Sequence, residues 1–163
     1  MKDKKFLLNR AHFLVGGLGI EKAITLEELK GIVAKFVEEE IFLEPTTLPS
    51  SISGFTIRSK QGPFIVFYDQ HRYGEARNLV IAHELAHLLQ GDATNLMSTD
   101  FKMAIQMVIA GEESPNILCR STFSQDPDAE KQVEFIATLL LQELVEENAY
   151  QTSEITLTGL KDL

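Results

Sequence analysis

The sequence predicts one domain of the α+β class. Apolar residues recur at helical spacing near the N-terminus, at about residues 75–90 and again at 127–144. Between these segments, two runs rich in β-branched and aromatic residues flank Gly62 and predict a hairpin. Because no repeat or long linker interrupts the 163 residues, we expect a single domain, with N-terminal helices in 1–44 and the functional motifs in 45–145.

The first two segments have the pattern of amphipathic helices. Thr25 followed by Glu28 is a capping box, which predicts a second helix that continues to about Glu40. Pro45 and Pro49 are expected to end it. The predicted buried side of the first helix consists of Leu7, Ala11, Leu14 and Leu18.

The middle of the chain predicts a small antiparallel sheet followed by a helix. Its strands are expected at about Ile52–Arg58 and Pro63–Asp69, joined through Lys60, Gln61 and Gly62. The helix is predicted from about Glu75 to Gln90, and Gly91 ends it.

The last part of the chain predicts two more helices, which brings the expected total to about five. One covers Ser98–Ala110, and a polar loop follows it to Gln125. The other begins with Asp126 as N-cap and Pro127 at the first helical position. Its predicted apolar stripe is Val133, Ile136, Ala137, Leu140, Leu141 and Leu144.

Charge and cysteine content exclude several classes of protein. The net charge is −9, from 15 basic and 24 acidic residues, which argues against direct nucleic-acid binding. No apolar run reaches the roughly 18 residues that a membrane span needs, so we expect no membrane partner. The single cysteine, Cys119, cannot form an internal disulfide, and this favours a reducing compartment such as the cytoplasm.

The stretch AHELAHLL contains the residues most suggestive of chemistry. His83 and His87 stand four apart, so on a helix they share one face and can bind one Zn²⁺. Glu84 is close enough to take a proton from a water molecule that attacks a carbonyl. The alternative is a buried helix whose two histidines bond to backbone carbonyls.

A catalytic zinc ion needs a third protein ligand. His12, His71 and several carboxylates are candidates, and Glu130 and Glu134 are the best of them. They stand four apart on the last helix, where Glu130 could bind zinc and Glu134 could accept the second ring N–H of a ligating histidine. The alternative is that both carboxylates lie on the solvent side of an amphipathic helix.

Three segments together resemble the ImmA/IrrE-type metallopeptidases. ARNLVIAHELAHLL looks like the zinc-binding helix of that family, and LPSSISGFTIRSKQGPFIVFYD resembles its hairpin. EKQVEFIATLLLQ resembles its third motif, which puts Glu130 at the third zinc ligand and Glu134 at an Asn. The sequence departs from the family pattern at Ala86, where the family has Gly, and at Glu143, where it has Pro. Residues 95–125 look like an elaboration of this chain.

The resemblance implies a zincin-like, gluzincin-type endopeptidase that cleaves a regulatory protein such as a helix-turn-helix repressor. One alternative is a binding module of the same fold that sequesters the regulatory protein without efficient hydrolysis. Another is an aminopeptidase, which needs an acidic subsite for the substrate amine. Tyr73, His71 and Tyr150 are candidates for a donor that assists the reaction. We also expect Pro63–Asp69 to lie along the cleft with a free edge for an extended substrate.

Overall fold

The computed structural model describes residues 1–48, 53–58, 62–91 and 127–145. Four helices and one three-stranded sheet form this part of the chain, which confirms the predicted α+β class. The predicted helix at Ser98–Ala110 and the predicted cap at Asp126 lie outside the described residues. The elements in chain order are α1 (Lys4–Gly16), α2 (Leu26–Val37), β1 (Ile41–Thr46), β2 (Gly54–Arg58), β3 (Phe64–Asp69), α3 (Gly74–Gln90) and α4 (Pro127–Glu143).

Helix α1 packs one stripe of side chains against the core. Leu7 and Ala11 are buried as predicted, and Val15 continues the stripe one turn further along. Leu14 and Leu18 are only half-buried, although both pack against the core. The predicted stripe is therefore right at its start and displaced by one residue at its end.

Helix α2 begins as the sequence predicts. The side-chain oxygen of Thr25 accepts a hydrogen bond from the backbone N–H of Glu28 at 3.1 Å, which satisfies one of the free donors of the first turn. The helix ends at Val37 and not near Glu40, because Glu38 adopts the left-handed conformation with φ 57°. The left-handed conformation of Glu38 ends the helix, and strand β1 begins three residues later, at Ile41.

The sheet is mixed and contains one strand more than predicted. Strands β2 and β3 form the expected antiparallel hairpin, in which Gly54 lies opposite Tyr68 and Arg58 opposite Phe64. Strand β1 pairs in parallel with the other side of β3, so the order is β1-β3-β2. The expectation of a purely antiparallel sheet is therefore wrong.

The missed strand β1 contains Pro45, which the sequence analysis took as part of a helix ending. Proline has no N–H to donate, and it is tolerated in strands that lie at the edge of a sheet. Among the described strands, β1 pairs only with β3 and so occupies such an edge. Its partner strand, β3, is distant in sequence, and no local sequence pattern predicts a parallel pairing between such distant strands.

Helices α2 and α4 and strands β2 and β3 pack against α3. Helix α4 packs against both α3 and α1, and it is tied to the start of α2 by backbone hydrogen bonds through Ile24. The N–H of Ile24 donates to the carbonyl of Glu143, and the N–H of Val145 donates to the carbonyl of Ile24, each at 2.9 Å. No described helix is long and apolar enough to cross a membrane.

In the predicted stripe of α4, Val133, Ile136, Ala137 and Leu140 are buried, and Leu141 and Leu144 are half-buried.

Candidate metal centre

Two histidines of α3 point at a common position. His83 and His87 are one turn apart on the same helix face, and their Nε2 atoms lie 3.2 Å from each other. Their rings meet edge to face with centroids 4.9 Å apart. Ala82, Leu85 and Ala86 are fully buried around them, so the core holds this helix in place. The predicted pairing of the two imidazoles is confirmed.

Glu130 reaches the same position from α4. Its Oε1 atom lies 3.2 Å from Nε2 of His83, and its Oε2 atom lies 3.9 Å from Nε2 of His87. The two helices are joined beside this point, where the side-chain amide of Gln90 donates to the carbonyl of Ala129 at 3.3 Å. The close packing of α4 on α3 thus places the Glu130 carboxylate next to His83 and His87.

These three side chains can hold a metal ion. One ligand atom from each of His83, His87 and Glu130 lies within 4.8 Å of the others. The His87 side chain is 4% exposed, whereas those of His83 and Glu130 are 32% and 34% exposed, so solvent reaches the group from one side. Burial, and then the neighbouring His83, lower the pKa of His87 to about 3. Its imidazole is therefore neutral at physiological pH, as a metal ligand must be.

The other candidate histidines lie elsewhere. His71 is exposed, and its Nδ1 atom is 3.1 Å from a carboxylate oxygen of Asp69. His12 is exposed on α1. In the described ranges, neither belongs to the group of possible ligands. Of the candidates that the sequence left open, the structure thus brings Glu130 to the two histidines.

Glu84 is buried between α3 and the sheet. One of its carboxylate oxygens, Oε2, accepts a hydrogen bond of 2.7 Å from the hydroxyl of Thr56 in β2. Burial raises the pKa of Glu84 to about 7; the Thr56 bond opposes this effect, and the negative charge of Glu130 adds to it. The carboxylate therefore has a much higher proton affinity than an exposed glutamate, a property typical of groups that transfer protons.

Strand β2 approaches α3 very closely at Gly54. A Cβ atom at this position would lie 2.6 Å from Cγ1 of Val80 and 2.9 Å from the carbonyl oxygen of Phe67. It would also lie 3.8 Å from Cγ of Glu84. Only glycine permits this contact, so Gly54 determines the distance between β2 and the helix that carries the candidate site.

Glu134 does not join the group. Its side chain is exposed, so the expectation that it lies on the buried side of α4 is wrong. Its backbone carbonyl accepts a hydrogen bond of 2.8 Å from the hydroxyl of Thr138. Helix α4 turns Glu130 toward α3 and Glu134 toward solvent.

The expected free edge of β3 is absent. Strand β3 lies in the centre of the sheet, with β1 on one side and β2 on the other. It therefore cannot pair with a substrate, and that prediction is wrong. In the part of the chain that the structure describes, β2 has a strand on one side only.

Thr56 and Gly54 are site residues that the sequence analysis missed. A glycine inside a strand pattern is a signal of close backbone approach, so Gly54 could have been found. Nothing local distinguishes Thr56 from any other strand threonine, because its partner is 28 positions away. Among the suggested donors, Tyr73 is exposed beside the start of α3, and Tyr150 lies outside the described residues.

Comparisons with protein-family models, with curated proteins and with solved structures found no match to this chain. The imidazoles of His83 and His87 and the carboxylate of Glu130 lie together at one partly open position. Glu130 is near enough to Glu84 for its negative charge to help raise the pKa of that group.

Proposed function

We propose that this chain is a zinc-dependent endopeptidase with a zincin-like fold of the ImmA/IrrE type. The observation that carries the proposal is the convergence of His83, His87 and Glu130, with the buried carboxylate of Glu84 near enough for the charge of Glu130 to help raise its pKa. Two histidines and a glutamate are a known ligand set of catalytic zinc, which leaves a fourth position open. The solvent-exposed side of the group is suited to that position.

The spacing of the ligand atoms supports zinc. With bond lengths of about 2.0–2.1 Å and tetrahedral angles, ligand atoms lie about 3.3 Å apart. Nε2 of His83 is 3.2 Å from both Nε2 of His87 and Oε1 of Glu130. The other carboxylate oxygen of Glu130, Oε2, lies 3.9 Å from Nε2 of His87, so each histidine has an oxygen of Glu130 nearby.

In this proposal Glu84 is the general base. His83, His87 and Glu130 would hold the zinc ion, which would supply Lewis acidity for the scissile carbonyl and for the attacking water. The Glu84 carboxylate accepts the proton of the attacking water and then donates it to the departing amine. In the metal-free protein burial raises the pKa of Glu84 to about 7, which favours uptake of a proton by this carboxylate.

Strand β2 replaces β3 as the proposed substrate-binding strand. Within the described residues its outer edge has no strand partner, and its inner face contacts Glu84 through Thr56. An extended peptide added to that edge would form backbone hydrogen bonds next to the proton-accepting carboxylate. This arrangement favours an endopeptidase, because no free chain end of the substrate has to be recognised.

The proposed substrate is a regulatory protein of the cytoplasm, such as a helix-turn-helix repressor. Its DNA-binding surface is basic, and the net charge of −9 on this chain attracts such a surface over long distances. The single cysteine is consistent with a reducing compartment.

The test is to incubate the zinc-loaded protein with purified helix-turn-helix repressors and to identify fragments by mass spectrometry. The Glu84→Gln variant is the matched control, because it keeps all three ligands; we expect its cleavage rate to fall by at least ~10²-fold while zinc is retained. A stable complex without fragments would instead identify the protein as a sequestering module.

A further inference from the structure

The hydroxyl of Thr56 donates to only one of the two carboxylate oxygens of Glu84, Oε2. We propose that Thr56 is a positioning residue, which fixes the carboxylate so that its other oxygen is directed to the attacking water. The inference rests on the proposed peptidase function and concerns a residue that has no part in metal binding.

The fold places Thr56 for this task. Gly54 and Thr56 are two residues apart in β2, so they lie on the same face of the strand, and both are close to Glu84. The contact at Gly54 determines how near the strand comes to α3. Thr56 then spans the remaining gap with a short hydrogen bond of 2.7 Å.

Burial makes this hydrogen bond directional. The exposed fraction is 0% for Thr56 and 7% for Glu84, so water has little access to either group. A threonine side chain is branched at Cβ and has few rotamers, which keeps its hydroxyl in one place. Without this donor the carboxylate could rotate about its last bond, and either oxygen could turn away from the ligands.

The experiment measures how zinc-loaded variants bind acetohydroxamate, a small chelator that binds zinc through two oxygens and whose hydroxyl proton is taken up by a carboxylate beside the metal. Calorimetry gives its Kd, and elemental analysis gives the zinc content. Thr56→Val removes the hydroxyl at nearly constant volume, and Thr56→Ser keeps it. Both changes are also made in the Glu84→Gln background.

We expect Thr56→Val to weaken acetohydroxamate binding about tenfold, the scale found for groups that orient a metal site, with unchanged zinc content. Thr56→Ser should stay within about twofold of the wild type, because the donor is retained. In the Glu84→Gln background, Thr56→Val should have no further effect. A purely structural role of Thr56 cannot produce this dependence on Glu84.

Three results would overturn the inference. The first is that the Thr56→Val variant binds acetohydroxamate as tightly as the wild type. The second is that Thr56→Val weakens acetohydroxamate binding equally in the Glu84→Gln background. The third is that the Thr56→Val variant loses zinc. If Thr56→Val does not fold, Thr56→Ala replaces it under the same criteria, because a water molecule can then reach the carboxylate without holding it in place. A wild-type protein that binds no zinc would refute the proposed function itself, which separates that failure from a failure of the role of Thr56.

Discussion

Replacing Gly54 with alanine should destabilise the protein by a predictable amount. The added Cβ would lie 2.6 Å from Cγ1 of Val80 and 2.9 Å from the carbonyl oxygen of Phe67. The second of these is a backbone atom of the central strand, so it cannot move aside without shifting the sheet. Overpacking of this kind costs about 1–3 kcal/mol. Alanine recovers about 0.4–1 kcal/mol by restricting the unfolded chain, which leaves a net loss of up to about 2.6 kcal/mol.

Urea denaturation of the metal-free protein measures this loss, and Gly31→Ala is the matched control. Gly31 is exposed in the interior of α2, and a Cβ added there meets nothing within 4 Å. That substitution should stabilise the protein by about 0.5–1 kcal/mol, because alanine favours a helix. The two changes should therefore have opposite signs. If Gly54→Ala is as stabilising as Gly31→Ala, β2 does not approach α3 as described, and the placement of Thr56 against Glu84 fails with it.

Three further predictions concern ionisation and metal binding. The pKa of Glu84 is about 7 in the folded protein, against 4.5 for an ordinary glutamate. The contribution of this group to the stability of the metal-free protein is therefore complete below about pH 4.5 and is lost as pH rises through 7. Glu84→Gln should remove that loss and be more stable than the wild type by up to about 3 kcal/mol at pH 8, measured by urea denaturation; equal stabilities there would contradict the burial argument. For His87 the sign is opposite: because its pKa is lowered from 6.5 to about 3, its contribution is complete above pH 6.5 and is lost as pH falls through 3, which acid titration of the metal-free fold by circular dichroism will detect as unfolding. Glu130→Gln should weaken zinc binding by more than about tenfold while the exposed Glu134→Gln leaves it unchanged, as measured by competition with a chromophoric chelator; the reverse result would show that α4 is out of register.

Most of the helices and the hairpin could be predicted because the signals for them are local. The capping box at Thr25 and the end of α3 at Gly91 each depend on a few adjacent residues, and the structure confirms both. Strand β1 could not be predicted, because its only described partner, β3, is distant in sequence and Pro45 interrupts its pattern. The same parallel pairing moved β3 from the expected edge to the centre of the sheet.

The sequence by itself determined the pairing of His83 with His87, because residues four apart on any α-helix share a face. It also limited the third residue of a possible metal site to a few candidates. Tertiary structure alone decided among them, since the rotation of α4 against α3 turns Glu130 inward and Glu134 to solvent. Only the fold could reveal Thr56 as the partner of Glu84, because a hydrogen bond between a strand and a helix depends on how they pack and on no pattern within either one.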